Sequence, residues 1–184
     1  MGSIGRLFVA VTPPAETRDL LAAVLADVFG KEGPPGKVAP PDNWHLTLRF
    51  LGPTDEVTYE RLLAELDAAD LGGTFGMELG ELGAFPNARH ATVLWVGVTA
   101  GAGHLGDLAA VVEASVQGVG FEQEGRPYRP HLTLSRIRPD QDVRGLVDDG
   151  VFDAILFPVD ELVVYRSHLG AGPATYEALE RFPL

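Results

Sequence analysis

The sequence predicts an α+β fold of two lobes, and three observations carry that expectation. The tetrapeptide His45-Leu46-Thr47-Leu48 returns as His131-Leu132-Thr133-Leu134, so the chain reads as two related units. Segments with strand and helix patterning alternate along it, with hairpins between some of the strands. At 184 residues the chain has the length of one domain and is long enough to bury a sizeable core. We expect one bilobal domain over residues 1–184.

In order along the chain, Arg6 to Val11 is an apolar run ended by Pro13-Pro14 and reads as a first, buried strand. Ala15 to Phe29 carries Leu20, Leu21, Val24, Leu25 and Val28 at helical spacing, which predicts an amphipathic helix closed by Gly30. Lys31 to Asp42, rich in Gly and Pro, reads as a loop that delivers the chain to a strand over Trp44 to Leu51. Gly52-Pro53 should end that strand. Thr54 or Asp55 can cap a helix to about Ala69, with Val57, Leu62, Leu63 and Leu66 inward. Strands near Thr74 to Leu82 and Ala91 to Val98 follow, joined by Ala84 to Arg89, a turn expected beside the cleft. A helix from about Gly103 to Val119 precedes the second motif strand. Arg136 to Asp140 reads as a loop and Gln141 to Asp149 as a short helix. Asp153 to Arg166 and Ala174 to Arg181 read as a closing hairpin around Gly170-Ala171-Gly172-Pro173.

The repeated tetrapeptide is where the chemistry lies. In a strand alternate side chains share a face, so each histidine sides with its threonine and the two leucines face the core. Two such strands side by side would aim two imidazoles and two hydroxyls into one cleft. Histidine titrates near neutrality, so a pair can supply a base and an acid on opposite sides of a reacting phosphorus. Threonine hydroxyls can hold the non-bridging oxygens without adding charge. A lone histidine on an edge strand is as readily a structural residue; the matched pair argues for His45 and His131 as the acid-base groups and Thr47 and Thr133 as their partners.

Asn43 to Gly52 (NWHLTLRFLG) and Arg126 to Arg136 (RPYRPHLTLSR) resemble the paired motifs of the 2H phosphoesterase superfamily, in the branch of RNA 2′,3′-cyclic phosphodiesterases, formerly 2′-5′ RNA ligases. Arg6 to Val11 and Tyr165-Arg166-Ser167 are similar to that branch too, so the resemblance covers nearly the whole chain. It implies two lobes related by a pseudo-twofold, with antiparallel sheets around a central groove and helices outside. It further implies hydrolysis of a 2′,3′-cyclic phosphate to a 2′-phosphate without metal or cofactor, His131 taking the proton from water and His45 giving one to the leaving 3′ oxygen. Run backwards, that chemistry joins RNA ends 2′-5′ without ATP. Two other readings stay open: a related enzyme acting on another small cyclic or 2′-5′-linked nucleotide, and a non-catalytic module that grips terminal phosphates.

Charge and composition bound the partners. A net charge of −12 argues against tracking along nucleic acid, which needs a basic surface. Arg126, Arg129, Arg136 and Arg138 nevertheless surround the second motif with no acidic residue among them, leaving a local positive pocket for one terminal or cyclic phosphate at an RNA end or on a small nucleotide. With no cysteine, thiolate nucleophiles and cysteine-ligated zinc are excluded. No His-Glu-x-x-His and no glycine-rich loop with a following Lys-Ser/Thr appears, so neither a metal site nor ATP hydrolysis is indicated. No apolar run approaches the roughly 20 residues of a membrane span, and no signal-peptide pattern opens the chain; a soluble, cytoplasmic monomer is expected.

Around the motifs, alternation puts Arg49 on the face of His45 and Thr47, where it can reach substrate. The same rule puts Arg136 on the leucine face if the strand runs straight, whereas the resemblance makes Arg136 a phosphate contact, which requires the strand to bend or end after Ser135. Tyr128 and Trp44 are candidates to stack on a base. Arg89, Arg129 and Arg166 read as rim charges, and His90, His104 and His168 as surface or loop residues.

Overall fold

A computed structural model describes residues 2–170 and 174–184. The apolar run after Arg6 lies in strand β1 (Ser3–Val11), whose second half is buried on both faces. It leads into helix α1 (Ala15–Phe29), with the predicted bounds and with Leu21 and Leu25 inward. The Gly/Pro-rich segment after it is more ordered than its composition suggests. It holds a 3-10 turn over Gly30–Glu32, a two-residue strand β2 (Lys37–Val38) and a second 3-10 turn over Pro41–Asn43.

Strand β3 (Leu46–Asp55) carries the first motif, and Gly52-Pro53 does not end it. Gly52 takes a positive φ of 74° and a register shift opens against β1, so the ladder absorbs the pair and runs on to Asp55. Asp55 is then the N-cap of helix α2 (Glu56–Ala68), its carboxylate accepting from the Thr58 N–H at 3.0 Å and the Thr58 hydroxyl at 2.9 Å. Leu62 and Leu66 are buried as expected, but Val57 is 47% exposed. Strands β4 (Phe75–Phe85) and β5 (Ala91–Ala100) pair as a hairpin, and helix α3 (Ala102–Gly118) follows.

The second motif opens strand β6 (His131–Gln141). Arg136 to Asp140, expected as a loop, is part of this strand, because β5 pairs with it as far as Gln141. Helix α4 (Arg144–Asp149) is the short helix expected there. The predicted single strand Asp153 to Arg166 is instead two, β7 (Ile155–Val159) against β4 and β8 (Glu161–His168) against β1, divided at Asp160. Strand β9 (Thr175–Pro183) pairs with β8; the turn expected before it falls largely on residues 171–173, outside the described residues.

Among the described residues the strands form one antiparallel sheet in the order β7-β4-β5-β6-β3-β1-β8-β9, with β2 beside β6. The two motif strands are at its centre. In a flat sheet β7 and β8 would lie six strand spacings, roughly 29 Å, apart. Asp160 alone joins them, so the sheet curls back on itself. β6, β5, β4 and β7 make one lobe and β3, β1, β8 and β9 the other, matched strand for strand about the β3–β6 seam. The core lies between the sheet and the helices, built from Leu7, Val9, Leu46, Leu94, Val96, Leu132 and Leu134 of the sheet packed with Leu21, Leu62, Leu66, Leu105, Val112 and Val116. The opposite face of the sheet lines the groove between the lobes.

Candidate active site

β3 and β6 pair at one position, Leu46 with Leu132, and then diverge. Because the pair is antiparallel, this register sets His45 opposite Thr133 and Thr47 opposite His131. The four polar groups alternate around the seam, with the leucines behind them fully buried. The divergence of the strands opens the groove directly above this square.

Both imidazoles are oriented by the same local device. Nδ1 of His45 is 2.7 Å from the Asn43 carbonyl, and Nδ1 of His131 is 2.7 Å from the Arg129 carbonyl, each two residues back. A carbonyl only accepts, so each Nδ1 carries the hydrogen and each Nε2 is left as the atom that can take or give a proton. Each ring also has an aromatic ring perpendicular to it: Tyr176 for His45 at 5.1 Å and Phe85 for His131 at 4.8 Å. Phe8 lies 4.8 Å from His45 on a second side and stacks on Tyr165, whose hydroxyl bonds that of Thr12 at 2.8 Å.

This apolar packing sets the electrostatics. Burial pushes His45 down to about 4, against the pull of the Asn43 carbonyl, and the positive charges possible on His131 and Arg136 act in the same direction. His131 is also lowered, first by burial and then by Arg136 and Arg129, again against its carbonyl partner. With the groove empty both imidazoles are neutral at pH 7. A bound anion would reverse that balance.

The two arginines exchange the places that plain alternation gives them. In the β1–β3 ladder Ala10 pairs with Thr47 but Val9 pairs with Arg49 and Phe8 with Phe50, so β3 carries one extra residue. Arg49 therefore shares the face of Val9, which is core, and Phe50 takes the groove face. The expectation that Arg49 reaches the groove is corrected by this bulge. Its guanidinium instead turns to α3, with Nε 2.6 Å from Glu113 Oε2, although that N–H is not aligned for a hydrogen bond, and Nη2 2.6 Å from the Glu122 carbonyl. β6 repeats the device: Trp95 pairs with Thr133, yet Leu94 pairs with Ser135 and Val93 with Arg136. Ser135 is thereby buried on the core face and Arg136 comes to the groove, close enough to depress both histidines. The bend after the motif that the resemblance required is a β-bulge.

Neither proposed stacking residue faces the groove openly. Trp44 is buried, its Nε1 donating to the Ala39 carbonyl at 3.0 Å, and Tyr128 packs against the core with its hydroxyl sealed and unpartnered. The exposed aromatic on the groove face is Phe50, 61% accessible and 5.9 Å from Phe8. Sequence reasoning missed Phe8, Phe50, Phe85 and Tyr176. Of the rim charges, Arg129 lies over the Phe85 ring at 5.3 Å, while Arg166 is held by Glu177 and the Ile4 carbonyl. His90 pairs with Asp140, His168 with Glu177, and His104 stacks on Phe75, all away from the seam.

The profile of the LigT-like phosphoesterases matches residues 11–95 and again 96–175, one match for each motif. The chain is 37% identical over 125 residues to the RNA 2′,3′-cyclic phosphodiesterase of Aeropyrum pernix, covering 68% of this chain and 70% of that one. It is 30% identical to the enzyme of the same name from Escherichia coli, over 97% of this chain and 96% of the relative. The crystal structure of E. coli LigT complexed with 3′-AMP superposes with a TM-score of 0.80 at 27% identity, covering 98% of both chains.

Proposed function

The chain belongs to the LigT-like phosphoesterase family, and on that premise we propose that it hydrolyses 2′,3′-cyclic phosphates at RNA ends or on small nucleotides to 2′-phosphomonoesters, with no metal or cofactor. The observation that carries this reading is the single Leu46–Leu132 register, which sets each histidine against the other strand's threonine with both Nε2 atoms free. Such an arrangement holds a phosphate between a base on one side and an acid on the other, as in-line displacement requires.

In the forward direction Nε2 of His131 accepts a proton as water attacks phosphorus. The P–O3′ bond breaks, and Nε2–H of His45 protonates the departing 3′ oxygen, so the phosphate remains on O2′. Thr47 and Thr133 donate to the non-bridging oxygens, and Arg136 pairs with the negative charge that the phosphate already carries on binding. Phe50 offers a ring face to the nucleobase; a bare ring stacks on any base and reads none. Arg49 has no direct part. Run in reverse with a 5′-hydroxyl in place of water, the same proton transfers form a 2′-5′ linkage. The protein acts as a monomer in the cytoplasm on terminal phosphates, its net charge of −12 repelling longer polyanions.

The test is product identity. A dinucleotide ending in a 2′,3′-cyclic phosphate, incubated with the protein in excess chelator, should give a 2′-phosphate by phosphorus NMR, and in 18O-water the label should enter that phosphate. A 3′-phosphate product would reverse the assigned leaving oxygen, and no turnover on cyclic ends of any base would refute the reading.

A further inference from the structure

We propose that Gly36 is a positioning residue for Arg136, through a backbone strap that holds the β6 bulge in the one register that turns the guanidinium into the groove. The inference rests on Arg136 as a phosphate contact and goes beyond it to what places that contact.

Where β3 leaves β6 beyond Leu132, the free edge of β6 is taken up by the short strand β2. Lys37 pairs with Arg136 and Val38 with Ser135, and the Ala39 N–H donates to the Leu134 carbonyl at 2.8 Å. These three partners, Leu134, Ser135 and Arg136, are the bulge itself. β5 has a register shift at this point, so its ladder alone leaves a choice of register, and the strap on the opposite edge removes it.

Gly36 makes the approach possible. Its φ is +86°, and a Cβ there would fall on the Arg136 carbonyl oxygen and within 2.9 Å of both the Arg136 carbonyl carbon and Ile137 Cα. All three are backbone atoms, so no side chain can swing aside to make room. A cavity of about 320 Å³ lies between the strap and α1, lined in part by Leu25, Phe29, Pro34, Val38, Trp44 and Leu134. Behind the strap there is thus open space, and the ladder to β6, with the Trp44 Nε1–H bond to the Ala39 carbonyl, holds it in place.

Three variants test this: Gly36→Ala, Arg136→Ala and the double substitution. The readouts are KM and kcat on a 2′,3′-cyclic nucleotide and the NMR titration of the His45 and His131 imidazoles in the substrate-free protein. In Gly36→Ala we expect KM to rise about tenfold, the scale of one charged hydrogen bond, with kcat changed less. Both imidazoles should titrate higher, toward their values in Arg136→Ala. The double variant should be no worse than Arg136→Ala, since both act on one contact. Should Gly36→Ala not fold, Ala39→Pro replaces the N–H that bonds Leu134 with a ring carbon facing the same carbonyl, and is expected to move the same readouts in the same direction.

A folded Gly36→Ala or Ala39→Pro with wild-type KM and wild-type titrations would overturn the proposal, as would losses that multiply in the double variant. The titration needs no turnover. A chain inactive on cyclic phosphates would therefore fail the functional reading separately, while Arg136 placement was still read.

Discussion

Raising the pH should slow the enzyme at limiting substrate well before it slows the saturated enzyme. In the empty groove His45 sits at about 4 rather than 6.5, so burial and the neighbouring charges cost its imidazolium about 3 kcal/mol, at 1.36 kcal/mol per pH unit. His131 is lowered as well. Catalysis by one acid and one base needs a single proton shared by the pair, whichever ring holds it. Above about pH 6.5 both rings are neutral, and the one-proton form declines tenfold per pH unit. A cyclic phosphodiester carries one negative charge throughout this range. At roughly 4 Å and an effective dielectric near 20 that charge stabilises an imidazolium by about 4 kcal/mol, enough to offset what burial removed. Bound substrate should therefore return the proton. The profile of log kcat/KM should fall with a slope near −1 between pH 6.5 and 8.5, and the alkaline limb of kcat should lie at least one unit higher. A kcat/KM that is flat or rising across that range would refute the reasoning, because it would mean that the free enzyme needs no proton in the groove.

The same lowered pKa is a stability term: a histidine depressed in the fold contributes fully above its unfolded value near 6.5, and the contribution is lost as pH falls toward 4, so denaturation midpoints should drop over that window and drop less in His45→Gln. Arg49→Met should cost about 1 kcal/mol in denaturant unfolding by removing the charge beside Glu113 and the donor to the Glu122 carbonyl, with KM within twofold of wild type, whereas Arg136→Ala should leave stability nearly unchanged and raise KM about tenfold. Asp55→Ala should lose about 1 kcal/mol through the α2 cap and leave kinetics untouched.

The central strands were legible because their signal is local. His45-Leu46-Thr47-Leu48 and its repeat state their own period, and both leucines do lie in the core. Helix α1 was equally plain, punctuated by Pro14 before it and Gly30 after it. Alternation alone misplaces both arginines, because it assumes that no residue is added to the ladder; for Arg136 the resemblance, not the alternation, points to the groove. Both motif strands gain one residue at the second leucine, and the cause lies in pairing with β1, β5 and β2, which no window around Arg49 or Arg136 contains. β7 and β8 were fused for a related reason: Asp160 between two apolar runs carries no sign that the partners change there. Phe8 was hidden in a run of apolar residues buried on both faces, where no alternation exists to be read. Phe50 inherits its exposure from the bulge, and Tyr176 is brought to His45 by a strand more than 120 positions away in the chain, so their places depend on the completed sheet.

The claim on which the rest depends is that His45 and His131 act as one acid-base pair. The direct test is hydrolysis of an oligonucleotide ending in a 2′,3′-cyclic phosphate, in EDTA, by wild type, His45→Ala, His131→Ala and the double variant, each shown to be folded. The account predicts that either single substitution lowers kcat by about 10²-fold or more, the scale of general acid-base catalysis, and that the double variant falls little further, since each proton transfer is needed for the same displacement. Turnover that survives both substitutions in a folded protein would contradict it.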